Sequence, residues 1–123
     1  MAGYINDYVL DNGLTVLDSD TTALVICSAM PTTYAEANAT YKLGAKSSPT
    51  VGAPTDATSG RTVVVSAITD GSVSATGTAS HFALIDGTNS RLLVAQALSS
   101  SQSVTSGNTF TLGAIEVNFP DAA

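Results

Sequence analysis

Beyond Arg61 the chain alternates apolar side chains with Ser and Thr in short segments, and turn-forming residues rather than helices separate them. Alternation of this kind sends successive side chains to opposite faces of a pleated strand, so each segment offers one face to a core and one to water. Residues 61–68 read as a strand, Asp70-Gly71 as a turn, and 72–79 as a strand in which Val73, Ala75, Gly77 and Ala79 share a face. Residues 81–85 continue or restart it, with Gly77 a natural bulge or bend. Asp86-Gly87-Thr88-Asn89 then forms a turn into a strand over 91–95, and Ser99-Ser100-Ser101 breaks that strand. Ser106-Gly107-Asn108 leads into 109–119, where Phe110, Leu112 and Ala114 oppose Thr111 and Gly113. Short strands joined by turns predict a mainly β fold, an antiparallel β-sandwich or barrel.

The first half is more mixed, and one or two short helices belong there. Asp11-Asn12-Gly13 suits a two-residue hairpin, because both turn positions tolerate positive φ, but Asn6 also suits the cap of a short helix that Gly13 ends. Ile5, Val9 and Leu10 share a helical face, which favours the helix. Residues 22–28 form a β-branched and apolar run that predicts a buried strand, ended by Met30-Pro31. Thr33 and Glu36 have capping-box spacing before Ala37-Asn38-Ala39, which predicts a helix of about two turns. Residues 47–60 are rich in Ser, Thr, Pro, Gly and Ala and read as a long loop, a length that in a small domain points to a contact role.

A length of 123 residues suits one domain spanning 1–123, with an N-terminal arm over 1–13 and the loop over 47–60. Hydrophobic residues make up 44% and charged ones 11%, enough apolar surface to offset the entropy of ordering the chain. The net charge is -6, and Lys42, Lys46, Arg61 and Arg91 are scattered. A surface that displaces counterions from phosphates needs clustered cations, so no direct nucleic-acid partner is expected. No long apolar run marks a membrane span, and Met1-Ala2-Gly3-Tyr4 lacks a secretory pattern, so synthesis in the cytoplasm is expected.

Residues with chemical potential are sparse. His81 is the one histidine and Cys27 the one cysteine, and both read as strand residues; Cys27 sits inside an apolar run, where a thiol behaves as a small hydrophobe. A closed zinc site draws its four ligands mainly from Cys and His. Asp18 and Asp20 lack the twelve-residue calcium-loop pattern and read as a solvated turn. Neither a phosphate loop nor a nucleophile elbow is present. No enzymatic activity, cofactor or metal is therefore expected. Contact residues are expected in the arm and the loop: Tyr4, Ile5, Tyr8 and Val9 form an apolar set near the chain end, and in the loop Val51 lies between Pro49 and Pro54, which stiffen it.

The opening stretch from Tyr4 to Leu14, the passage Ile26-Cys27-Ser28 leading to Pro31-Thr32-Thr33-Tyr34, Thr69-Asp70-Gly71, and Val104-Thr105-Ser106-Gly107-Asn108-Thr109-Phe110 resemble small virion proteins encoded beside the capsid genes of tailed bacteriophages. The resemblance runs along nearly the whole chain and includes no catalytic motif. It implies a capsid decoration, or cement, protein on the head surface, a homotrimer bound to the major capsid protein. A tail, neck or fibre component, or a carbohydrate-binding β-module of the particle, is the alternative. With no Trp present, a sugar platform would have to come from Tyr4, Tyr8, Tyr34 or Tyr41.

Overall fold

The continuous apolar run becomes β1 (Ala23–Cys27), the strand buried most completely: Leu24, Val25, Ile26 and Cys27 are all at most 1% exposed. Burial on both faces explains why its sequence does not alternate. Leu24 and Ile26 face one core and Val25 and Cys27 a second, smaller one. The computed structural model describes residues 15–56 and 60–119. Among these, β2 (Lys42–Ser47), β3 (Thr55–Asp56), β4 (Arg61–Val65), β5 (Ile68–Val73), β6 (Gly77–Asp86), β7 (Arg91–Val104), β8 (Thr109–Leu112) and β9 (Ile115–Phe119) complete the strands. They form an antiparallel six-stranded sheet, ordered β7-β6-β1-β2-β5-β8, and an antiparallel three-stranded sheet, ordered β3-β4-β9.

The larger core lies between the sheets. Leu24, Ile26, Phe82, Leu84, Phe110 and Leu112 from the large sheet meet Val63, Val65 and Val117 from the small one. The mainly β sandwich expected from sequence is therefore the fold, with two short helical segments near the N-terminal half: one over 15–20 and one whose last turn, Glu36–Thr40, has π-helical spacing. This second segment covers the outer face of the large sheet, where Ala37 is fully buried against Val25, Cys27, Ala83 and Ile85, with Tyr34 and Tyr41 packed beside it.

Several local expectations need correction. Residues 61–68 are not one strand, because the chain leaves the small sheet at Ser66-Ala67 and enters the large one as β5. Residues 109–119 divide in the same way at Gly113-Ala114. Paired strands thus turn the corner together: β4 and β9 pair on one side, β5 and β8 on the other. Asp70-Gly71 is no turn but lies within β5, and Gly71 is there for packing, since a Cβ on it would collide with the Phe110 ring. The strand expected over 72–79 is interrupted at 74–76, between β5 and β6. Asp18 and Asp20 lie in the first helical segment rather than in a turn. The helix expected after Thr33 is present over 34–40, but its last turn is π-helical rather than α-helical. Half of the capping box forms as spaced, the Glu36 N–H donating to Thr33 Oγ1 at 3.1 Å, and only the return half is shifted by one residue, the Glu36 carboxylate accepting from the N–H and hydroxyl of Thr32, both at 2.8 Å.

Strand β2 had no readable signal. Its pairing with β1 slips at Leu43, which bulges inward and is 7% exposed, so alternation is lost just where a pattern would reveal a strand. The Leu43 carbonyl accepts from the N–H groups of Ser74 and Ala75. Gly44 is required next to it, because a Cβ there would collide with the Ser72 backbone oxygen.

Candidate functional site

The two ends of the large sheet approach each other without pairing as strands. Gln102 of β7 donates its side-chain N–H to the Thr111 carbonyl of β8 at 3.1 Å and so links the two across the seam. Beside it lies a cavity of about 270 Å³ with an apolar floor of Phe82, Leu98, Leu112 and Ile115 and a neutral polar rim of Gln96 and Ser100. Its origin is a register slip. Ala79 pairs with Gln102 and His81 with Ala97, so residues 98–101 of β7 stand opposite Ser80 alone. The serine run expected to break this strand therefore produces a wide bulge, and β7 continues beyond it to Val104.

Among the described residues, strand β7 forms one edge of the large sheet. Edge strands in stable folds are usually shortened, charged or covered, because their free N–H and C=O groups can template another strand. The other three edges follow that rule: β3 has two residues, β8 has four and meets Gln102, and β9 carries the exposed Glu116. Strand β7 has 14 residues, and no Asp, Glu, Lys, Arg or Pro occurs between Arg91 and Glu116. Leu92, Leu93, Val94, Ala95 and Leu98 along it are half-buried, whereas the apolar residues of central β1 from Leu24 onward are fully buried.

The turn expected at Asp86-Gly87-Thr88-Asn89 launches β7, and it is built on a buried carboxylate. Asp86 is 2% exposed; its Oδ1 accepts from the N–H groups of Thr88 at 3.0 Å and Asn89 at 3.3 Å, and its Oδ2 from the Asn89 side chain at 2.9 Å. Hydrogen bonding by Asn89 is the main cause that holds its carboxyl below the usual range, with the Arg91 charge adding to it. A carboxylate with a lowered folded-state pKa contributes stability above its unfolded pKa and loses it as pH falls through the folded-state value. Asp86→Asn is therefore expected to lower Tm at neutral pH and to reduce the acid-side loss of stability. A thermal-melt series against pH checks this, and identical curves for the two proteins would refute it.

Of the residues expected at contacts, Tyr4, Ile5, Tyr8 and Val9 lie outside the described residues. Pro49 and Pro54 are half-buried on the loop. Val51 is corrected: it is 8% exposed and belongs to the chain's own core, where it bridges to Val65. Of the segment over 47–60, the described residues up to Asp56 are not a free loop. The Gly52 N–H donates to the Val64 carbonyl and the Ser66 N–H to the Thr50 carbonyl, both at 2.9 Å, and β3 pairs with β4. Arg61 fastens the far end, reaching Asp56 Oδ1 at 2.6 Å and the Pro54 carbonyl at 3.3 Å. Backbone hydrogen bonding and the burial of Val51 have drawn in a segment whose composition reads as loop.

His81 and Cys27 are paired neighbours on β6 and β1. Burial pushes the Cys27 thiol up to about 11, which keeps it protonated and poorly nucleophilic near neutral pH. His81 Nδ1 lies 2.8 Å from Ser80 Oγ, which also lies 3.1 Å from the Ser28 carbonyl. A hydroxyl carries one proton; when Ser80 donates it to Ser28, the imidazole is the donor to Oγ and not its base. Among the described residues, no three His, Cys, Asp or Glu side chains are grouped to hold a metal ion, and no helix is long and apolar enough to cross a membrane.

Sequence reasoning missed Gln96, Leu98 and Gln102 at the seam. The signal that points toward them is the absence of charge between Arg91 and Glu116 in a chain of net charge -6. No family model, curated protein or solved structure matches this chain.

Proposed function

We propose that this chain is a non-enzymatic structural module that works by assembly on protein surfaces, and that it is a capsid decoration protein of a tailed phage, bound to the major capsid protein and to copies of itself on the outside of the virion. The observation that carries the assembly reading is the long, uncharged edge of β7, which has no strand partner on its outer side among the described residues. Edges of this kind gain affinity from main-chain hydrogen bonds and specificity from adjacent pockets, a combination suited to covering another protein. The assignment to a phage head draws on the resemblance of the Tyr4–Leu14 and Val104–Phe110 passages. Tyr34 and Tyr41 pack on the outer core, which leaves fewer aromatic platforms for a sugar.

Counting copies in purified particles by quantitative mass spectrometry tests the location. Decoration of the head predicts copies on the order of hundreds, as a repeating shell requires. A count of a few dozen or fewer would move the protein to the tail or neck, and its absence from particles would overturn the virion reading altogether.

A further inference from the structure

We infer that the occupant of the β7 edge is the β7 edge of a second copy, the two strands pairing antiparallel about a two-fold axis to join two large sheets into one. This rests on the reading of the chain as a self-associating structural module, and it names the contact. Main-chain donors and acceptors along one side of β7 have no strand partner among the described residues. Leu92, Val94 and Ala95 pair regularly or with a one-residue slip to Ile85, Leu84 and Ala83 of β6, so the inner side of the edge is well ordered before the bulge at 98–101. That places the usable pairing run at about Leu92 to Ala97.

Two observations select a second copy. Half-burial extends to both faces of the strand: Leu93, Val94 and Leu98 pack on the inter-sheet core, Leu92 and Ala95 on the outer one. One added strand of similar apolar pattern covers both sets, and an antiparallel copy of the same run has that pattern. Charge gives the second argument. Two copies of a chain with net charge -6 repel each other over most orientations, and the uncharged stretch between Arg91 and Glu116 is where they approach at least cost. A basic partner would gain nothing at a neutral edge. Isologous two-fold contacts are also the commonest closed arrangement for a self-complementary patch. The result is a dimer, in contrast to the trimer that the phage resemblance implies.

Sedimentation of the full chain across a concentration series reads the association directly. A reversible monomer–dimer equilibrium is expected. The double variant Gln96→Lys with Ala97→Lys, both at exposed positions, is expected to weaken it on the order of tenfold or more by placing like charges along the edge. An unchanged thermal melt at low concentration confirms that the variant is folded. Single variants Leu93→Cys, Ala95→Cys and Ala97→Cys supply a positive test: oxidation is expected to cross-link at least one into a covalent dimer, whereas Glu116→Cys on β9 is expected not to cross-link. A monomer at all concentrations, a trimer, or a dimer indifferent to the lysines and to every β7 cysteine would each overturn the inference. Occupancy on particles is scored separately, so a β7 variant that no longer dimerises yet still decorates them supports the inference and leaves the proposed location standing.

Discussion

Deletion of residues 48–58, bridged by a short Gly-Ser linker, is expected to abolish cooperative folding instead of merely removing a contact arm. The segment contributes Val51 to the core, a bridge to Val65, two backbone hydrogen bonds flanking that bridge, and the whole of β3. Burying a Val-sized side chain is worth about 1.5–3 kcal/mol, and each net hydrogen bond about 0.5–1.5 kcal/mol. Exposing Val63 and Val65 adds to the loss. The sum is comparable to the roughly 5–15 kcal/mol total stability of a domain this size. Circular dichroism during urea unfolding checks the prediction, and a sigmoidal transition with an unshifted midpoint would show that the segment is dispensable. Val51→Ala isolates the side-chain share, with an expected loss of about 1–3 kcal/mol.

Phe82→Ala is expected to cost about 3–5 kcal/mol, at the upper end for a single core truncation. Phe82 is the largest of the fully buried side chains, 2% exposed, and it pairs with Ile26 on one side and Gln96 on the other. Its ring also walls the seam cavity, so truncation enlarges a void that the surrounding strands already fail to close. The urea midpoint measures the loss. A decrease below about 1 kcal/mol would mean that β7 collapses onto the vacated space and that the seam is more compliant than its hydrogen-bonded ends indicate.

The β class was legible in the sequence because alternation and turn chemistry are local. Buried β1 showed as an unbroken apolar run and the Asp86–Asn89 turn as a cluster of turn residues. The fate of Gly71, Gly44 and Val51 was not legible in this way. Each is decided by a residue distant in the chain: the Phe110 ring, the Ser72 carbonyl and the Val65 strand respectively. Gly71 sits beside Asp70 and so reads as a turn, although it is a packing glycine in a central strand. The serine run at 99–101 likewise looked like a strand end because nothing local reveals that β6 continues opposite it.

The sequence by itself determined that the second half is mostly extended, which residues are apolar enough to enter a core, and where charge is missing, because these follow from side-chain chemistry and the two-residue period of a strand. The tertiary structure alone decided which strands share a sheet, where the chain turns the corner at Ser66-Ala67 and Gly113-Ala114, and which strand remains at the edge. Those outcomes depend on non-local pairing and on the volumes that distant side chains occupy. The same uncharged pattern is therefore a core strand when flanked on both sides and a sheet edge when, as in β7, the described residues supply a strand partner on one side alone.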